Sequence, residues 1–230
     1  MSLFVIGDLH LSFGVPDKPM DIFGGWKNYQ SILKDNWIKM INEQDTIVIA
    51  GDVSWGMSLL QSKADFDFLN NLPGKKIILK GNHDYWWTTL KKMETFFSEN
   101  KFDTLNILHN NHYEYENYGI CGTRGWVNMP GESSDAKVLA REVQRLETSI
   151  QSALKAEKEP IVFLHYPPIY NNDYNYDILE ILHKYHIKRC YYGHIHGRKG
   201  HIYAFQGIYE DTHMYMISSD YLQFVPEKIL

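Results

Sequence analysis

Five short fragments of this chain carry residue types that can hold divalent metal ions: Asp8-Leu9-His10, Gly51-Asp52, Gly81-Asn82-His83-Asp84, His165, and Gly193-His194-Ile195-His196. They supply carboxylates, imidazoles and one amide. These are hard-to-borderline donors, and no cysteine is in the set, which favours manganese, iron, zinc, cobalt or nickel over a soft thiolate site. Singly, each fragment has a plain structural explanation. Asp8 suits a turn, Asp52 suits a helix N-cap, and Asn82-His83-Asp84 suits ordinary turn chemistry. His10 alone fits the surface and His165 the core. All five in order, each just after an apolar run, point to a centre for two metal ions and to a hydrolytic reaction.

The elements that must position these fragments follow from periodicity. Residues 3–7, 46–50 and 76–80 are compact apolar runs and predict buried strands. Helical spacing of apolar residues covers 28–43 and 58–71, where Pro73-Gly74 ends the second helix, and a third helix is expected over about 86–99. This alternation predicts an α/β core with parallel strands. A meander of short strands is expected over 104–124, then a long helix from 135 to 157 with Leu139, Val143, Leu146, Ile150 and Leu154 on one face. Strands at 161–164 and 189–192 flank a helix near 175–185. The tail from His201 to Phe224 reads as short strands without a helical period. One domain over 1–230 is expected. On strands, Asp8 and His10, or His194 and His196, would share a face at spacing i, i+2. In open α/β sheets ligands gather at the carboxyl ends of strands, where these fragments fall.

The formal net charge of −5 argues against a general nucleic-acid binder, which needs a basic stripe. It leaves an anionic substrate open, because bound cations would reverse the local sign. Cys121 and Cys190, the only two cysteines, lie in apolar runs and read as reduced, buried thiols. The apolar run Leu3–Ile6 is too short for a signal peptide or membrane span, so the cytoplasm is the expected compartment.

The order D-x-H, GD, GNHD, lone His and GHxH, spanning residues 8–196, resembles the calcineurin-like metallophosphoesterase family. The resemblance implies a four-layer α/β/β/α sandwich with two mixed β-sheets and two divalent or trivalent metal ions. It implies that Asp8, His10 and His196 bind the first ion and Asn82, His165 and His194 the second, with Asp52 bridging. It further implies in-line attack on phosphorus by a metal-bound hydroxide, with His83 protonating the leaving group and Asp84 orienting the His83 ring. Two metals can stabilise both the attacking and the leaving oxygen. Protein Ser/Thr phosphatases of that family carry GDxVDRG and GNHE. This chain reads Gly51-Asp52-Val53-Ser54-Trp55-Gly56 and GNHD, so a small phosphorylated molecule, mono- or diester, is expected rather than a phosphoprotein.

Aromatics make up 14% of the chain and cluster beside the fragments, as in Tyr85-Trp86-Trp87. Trp26, Trp55 and Trp126 also fall between elements. Each either packs a loop or walls a pocket for an aromatic leaving group. Trp86, Trp87 and Trp126 are therefore candidate substrate contacts. Arg124 and Arg198 are candidate phosphate contacts. Lys75, Lys76 and Lys80 read as a solvated edge. Two rivals to a small-molecule phosphoesterase are a binding scaffold that kept the fold without catalysis and a metal-dependent nuclease.

Overall fold

The computed structural model describes residues 1–126 and 135–230. The first half alternates β1 (Leu3–Ile6), α1 (Tyr29–Met40), β2 (Thr46–Ile49), α2 (Lys63–Asn70), β3 (Lys75–Ile78), α3 (Leu90–Glu99) and β4 (Leu105–Ile107). The hairpin β5 (Tyr113–Tyr115) and β6 (Tyr118–Thr123) precedes α4 (Ala136–Lys155) and β7 (Glu159–Leu164). A small hairpin of β8 (Ile169–Tyr170) and β9 (Asp173–Tyr174) leads to α5 (Tyr176–Lys184) and β10 (Arg189–Tyr192). The chain finishes with α6 (Gly197–Tyr203), β11 (Gly207–Tyr209), β12 (Thr212–Met216) and β13 (Glu227–Lys228).

Two mixed sheets result. One has the order β13-β1-β2-β3-β4 and the other β11-β12-β10-β7-β6-β5. In each, the inner strands run parallel and the antiparallel partners are edge strands. Alternation along the strands builds the layers. Leu3 and Val5 of β1 face the second sheet, in a cluster with Ile161, Phe163 and Tyr191. Phe4 and Ile6 face the other way, onto Tyr29, Leu33 and Trp37 of α1 and Phe66 and Leu69 of α2. Beyond the second sheet, α4 and α5 bury Leu146, Ile150, Ile178 and Leu182 against Val162, Leu164 and Cys190. The layers are therefore α/β/β/α, as the resemblance implies. Cys121 and Cys190 are free and buried.

Two expectations fail. The tail holds α6, a helix of 7 residues with none buried, so no apolar period betrays it. Lys76 does not stand at a solvated edge: it is fully buried, its Nζ donating to the Leu72 carbonyl and, at 3.2 Å, to Thr104 Oγ1. Its position on β3 between α2 and the chain before β4 leaves no route to water. Burial pulls its pKa from 10.5 down to about 8. Between those values the unfolded chain holds a proton that the folded chain has released. Lys76 therefore adds to stability as pH rises through that window. Replacing it by Met is expected to flatten the stability-versus-pH curve there. Urea midpoints of both proteins at pH 8 and pH 10 check this, and equal slopes would refute it.

Candidate metal centre

Seven inner strands present their carboxyl ends to one region, and five of them deliver the metal-ligand candidates. Asp8 and His10 follow β1, Asp52 follows β2, and Asn82 follows β3; His165 follows β7, and His194 and His196 follow β10. The strand-alternation argument for the paired residues fails, because β1 ends at Ile6 and β10 at Tyr192. Asp8, His10, Asp52 and His194 instead have left-handed backbones, with φ of 58°, 45°, 50° and 72°. Asp and His tolerate this region better than branched residues, and it costs of the order of 1–3 kcal/mol per residue. Hydrogen bonds hold it. Asp8 N donates to the Gly51 carbonyl at 2.9 Å and His10 N to the Asp52 carbonyl at 2.8 Å. His194 N donates to both Asp8 carboxylate oxygens at 2.9 Å, tying the second sheet to the first. A Cβ on Gly81 would run into the Asp52 carboxylate, and one on Gly193 into that of Asp8, so both positions need glycine for close approach.

The donor atoms form two groups. His10 Nε2 and His196 Nε2 face each other at 3.1 Å, with Asp8 Oδ1 3.7 Å from the latter. Asn82 Oδ1 lies 2.6 Å from His165 Nε2 and 3.0 Å from His194 Nδ1. Asp52 Oδ2 stands between them, 3.7 Å from His10 Nε2 and 3.6 Å from His165 Nε2. His165 donates its Nδ1–H to the Ala50 carbonyl at 3.0 Å, which leaves Nε2 with its lone pair toward the site.

The electrostatics suit cations. Burial raises Asp8 and Asp52, and each also feels nearby histidines; burial lowers His10, His165 and His194, the last two to about 3 and about 2. Neutral imidazoles and buried carboxylates with converging lone pairs are the donor set two divalent ions require. The residues present fit the pair.

The remaining candidates divide. The His83 ring lies 5.7 Å from that of His10 and 4.5 Å from that of Trp55, and its Nδ1 is buried without a hydrogen-bond partner among the described residues. Asp84 does not orient that ring. Its Oδ2 accepts from Asp52 N at 2.9 Å and Gly81 N at 2.7 Å, and its Oδ1 from Val53 N at 2.8 Å and Trp86 Nε1 at 2.9 Å. It binds the two ligand-bearing loops together from beneath. Trp86 is likewise no pocket wall: it is buried against Phe66, because its indole N–H follows Asp84 into the core. Trp87 is half-buried at a crevice that also holds Arg124. Arg124 lies over the Trp126 ring at 4.6 Å and 3.4 Å from Glu142. Arg198 stands exposed on α6, outside the ligand groups.

Trp55, left open above between loop packing and pocket wall, stands at the site, and Asp220 escaped the sequence reading. Trp55 stacks on His10 at 5.0 Å and flanks His83. Asp220, after β12, accepts from His196 Nδ1 at 2.9 Å, which turns Nε2 to the centre. A carboxylate behind a ligating histidine fixes its tautomer, and its loss costs roughly 10–100-fold in metal affinity. Asp220→Ala is expected to weaken the first metal by about that factor, measured by competition with a chelator. Unaltered affinity would remove Asp220 from the centre. Its only sequence signal was its acidity.

Fold and site together define a metal-dependent phosphoesterase. The chain belongs to the calcineurin-like phosphoesterase family, whose sequence model matches residues 1–198. Members of that class use a pair of divalent ions, and two overlapping clusters here are able to hold a cation, Asp8 with His10 and His196, and Asp8 with Asp52 and His165. No curated protein matches the sequence significantly. Among solved structures, the fold resembles a protein of unknown function from Aquifex aeolicus (TM-score 0.53, 17% identity, 99% of this chain and 95% of that one). It also resembles the phosphopantetheinyl hydrolase of Mycobacterium tuberculosis (TM-score 0.54, 13% identity, 100% and 95%). A third is a Thermus thermophilus protein (TM-score 0.54, 12% identity, 84% and 81%). Among the described residues no helix is long and apolar enough to cross a membrane.

Proposed function

We propose that the chain is a single-domain, cytoplasmic hydrolase of small phosphoric mono- or diesters, working with two ions drawn from manganese, iron, zinc, cobalt and nickel. The observation that carries this reading is the Asp52 carboxylate placed between two donor groups, with His83, whose Nδ1 has no hydrogen-bond partner among the described residues, beside it. When bound, the ion pair supplies Lewis acidity and a water nucleophile active at neutral pH. Asp8, His10 and His196 hold one ion and Asn82, His165 and His194 the other. Asp52 serves both ions and also fixes the acid, since its Oδ1 accepts from His83 N at 2.7 Å. Hydrolysis forms a bond from a water oxygen to phosphorus and breaks the bond to the ester oxygen. His83 gives its ring proton to that departing oxygen. Burial lowers the His83 pKa and the charge of Asp52 opposes the shift. The negative substrate adds to the Asp52 effect.

The test is hydrolysis of para-nitrophenyl phosphate, its bis-ester and cyclic nucleotides by protein loaded with manganese or zinc. His83→Asn is expected to lower kcat by about 10²–10⁴-fold while two ions stay bound, as general-acid loss does. A non-catalytic scaffold would show no turnover on any ester, and a nuclease would show salt-sensitive DNA binding. Absence of stoichiometric metal together with absence of turnover would overturn the reading.

A further inference from the structure

Beside the proposed metal centre, three cations and one carboxylate line the same crevice. Lys80 follows β3, Arg124 follows β6, and Arg145 lies on α4; with Trp87 and His109 they wall a narrow crevice. Glu142 is the only carboxylate among its described lining residues, and it is fully engaged. It accepts from Thr123 Oγ1, from Arg145 at 2.7 Å and from Arg124 at 3.4 Å. Lys80 makes no hydrogen bond or ion pair with any described residue. The Nε of Arg124 is buried and also unpartnered, while the Trp126 ring holds its guanidinium in place. Half-buried cations in excess of carboxylates are costly unless an anion completes them.

We propose that Lys80 and Arg124, backed by Arg145, form an anion subsite for a second phosphate of the substrate, the first lying at the metal centre. The inference rests on the phosphoester reading above and narrows it to small molecules carrying two phosphoryl groups. Position supports it. The Arg124 carbonyl accepts from His165 N at 3.1 Å, and Lys80 is two residues before Asn82, so subsite and centre share the same strand ends. The crevice itself holds only about 10 Å³, room for one water, so the proposed phosphate would sit outside it, against Lys80 and Arg124. Arginine and lysine suit that task, the one as a planar fork and the other as a point charge.

The experiment is calorimetric binding of inorganic pyrophosphate and of orthophosphate to metal-loaded protein, with inhibition of aryl phosphate hydrolysis measured alongside. Lys80→Met is expected to weaken pyrophosphate binding by about tenfold or more, the loss typical of one charged hydrogen bond, with a smaller effect on orthophosphate. The exposed Lys75→Met serves as the control and is expected to match the parent protein. If Lys80→Met reduces metal content, Lys80→Arg must restore pyrophosphate affinity. Affinities within twofold in Lys80→Met, or no rescue by arginine, overturn the subsite. Lys80-dependent pyrophosphate binding without any ester hydrolysis would instead keep the subsite and defeat the phosphoester reading.

Discussion

Asp52→Asn is expected to abolish measurable turnover, a loss of roughly a thousandfold or more in kcat, and to lower bound metal below two ions per chain. The side chain does two tasks with two oxygens. Oδ1 accepts from His83 N at 2.7 Å, and Oδ2 faces both His10 and His165. An amide has one oxygen. If it keeps the bond to His83, its NH2 points at the ions' place and repels them. If it turns the oxygen to the ions, its NH2 meets the His83 N–H and displaces the acid. Atomic absorption after desalting and single-turnover kinetics give the two readouts. Two tightly bound ions with unreduced kcat would show that Asp52 is not the shared ligand.

Asp84→Ala acts elsewhere, on stability. The carboxylate is 1% exposed and accepts from five N–H groups, the fifth being Ser54 N at 3.4 Å. Removing it strands buried donors at about 1–3 kcal/mol each. Partial rescue by entering water leaves an expected loss of about 4 kcal/mol, which lowers Tm by roughly 8–16 °C in a chain of this size. Asp84→Asn keeps one acceptor and should fall between. Were Asp84 instead the orienter of His83, both variants would shift the alkaline limb of the pH–rate profile, where the acid loses its proton, with little change in Tm. Calorimetric melting and the pH profile separate the two roles.

The candidate ligand set could be named from the sequence because its residues carry their chemistry in their own side chains and sit after apolar runs that read as strands. The positions that misled owe their roles to the path of the chain. Lys76 is a cation by type, yet the packing of α2 against β3 removes it from solvent. Trp55 and Trp86 are the same residue in similar loops, and only Asp84, by taking the indole N–H of Trp86, draws one into the core while the other stays beside His10. Asp220 reaches His196 because β12 lies parallel beside β10, a pairing of distant segments with no local trace. The left-handed backbones at Asp8 and Asp52 were equally invisible, since they are held by bonds between two loops separated by the whole of α1 and β2.

The candidate donors for each proposed ion come from both sheets. The N-terminal sheet holds Asp8, His10, Asp52 and Asn82, and the other brings His165, His194 and His196. During synthesis on a ribosome, the first half of the chain would therefore carry only part of the proposed centre. The last candidate donors arrive only with β10 and the turn after it, so the proposed centre would be completed late in the birth of the molecule.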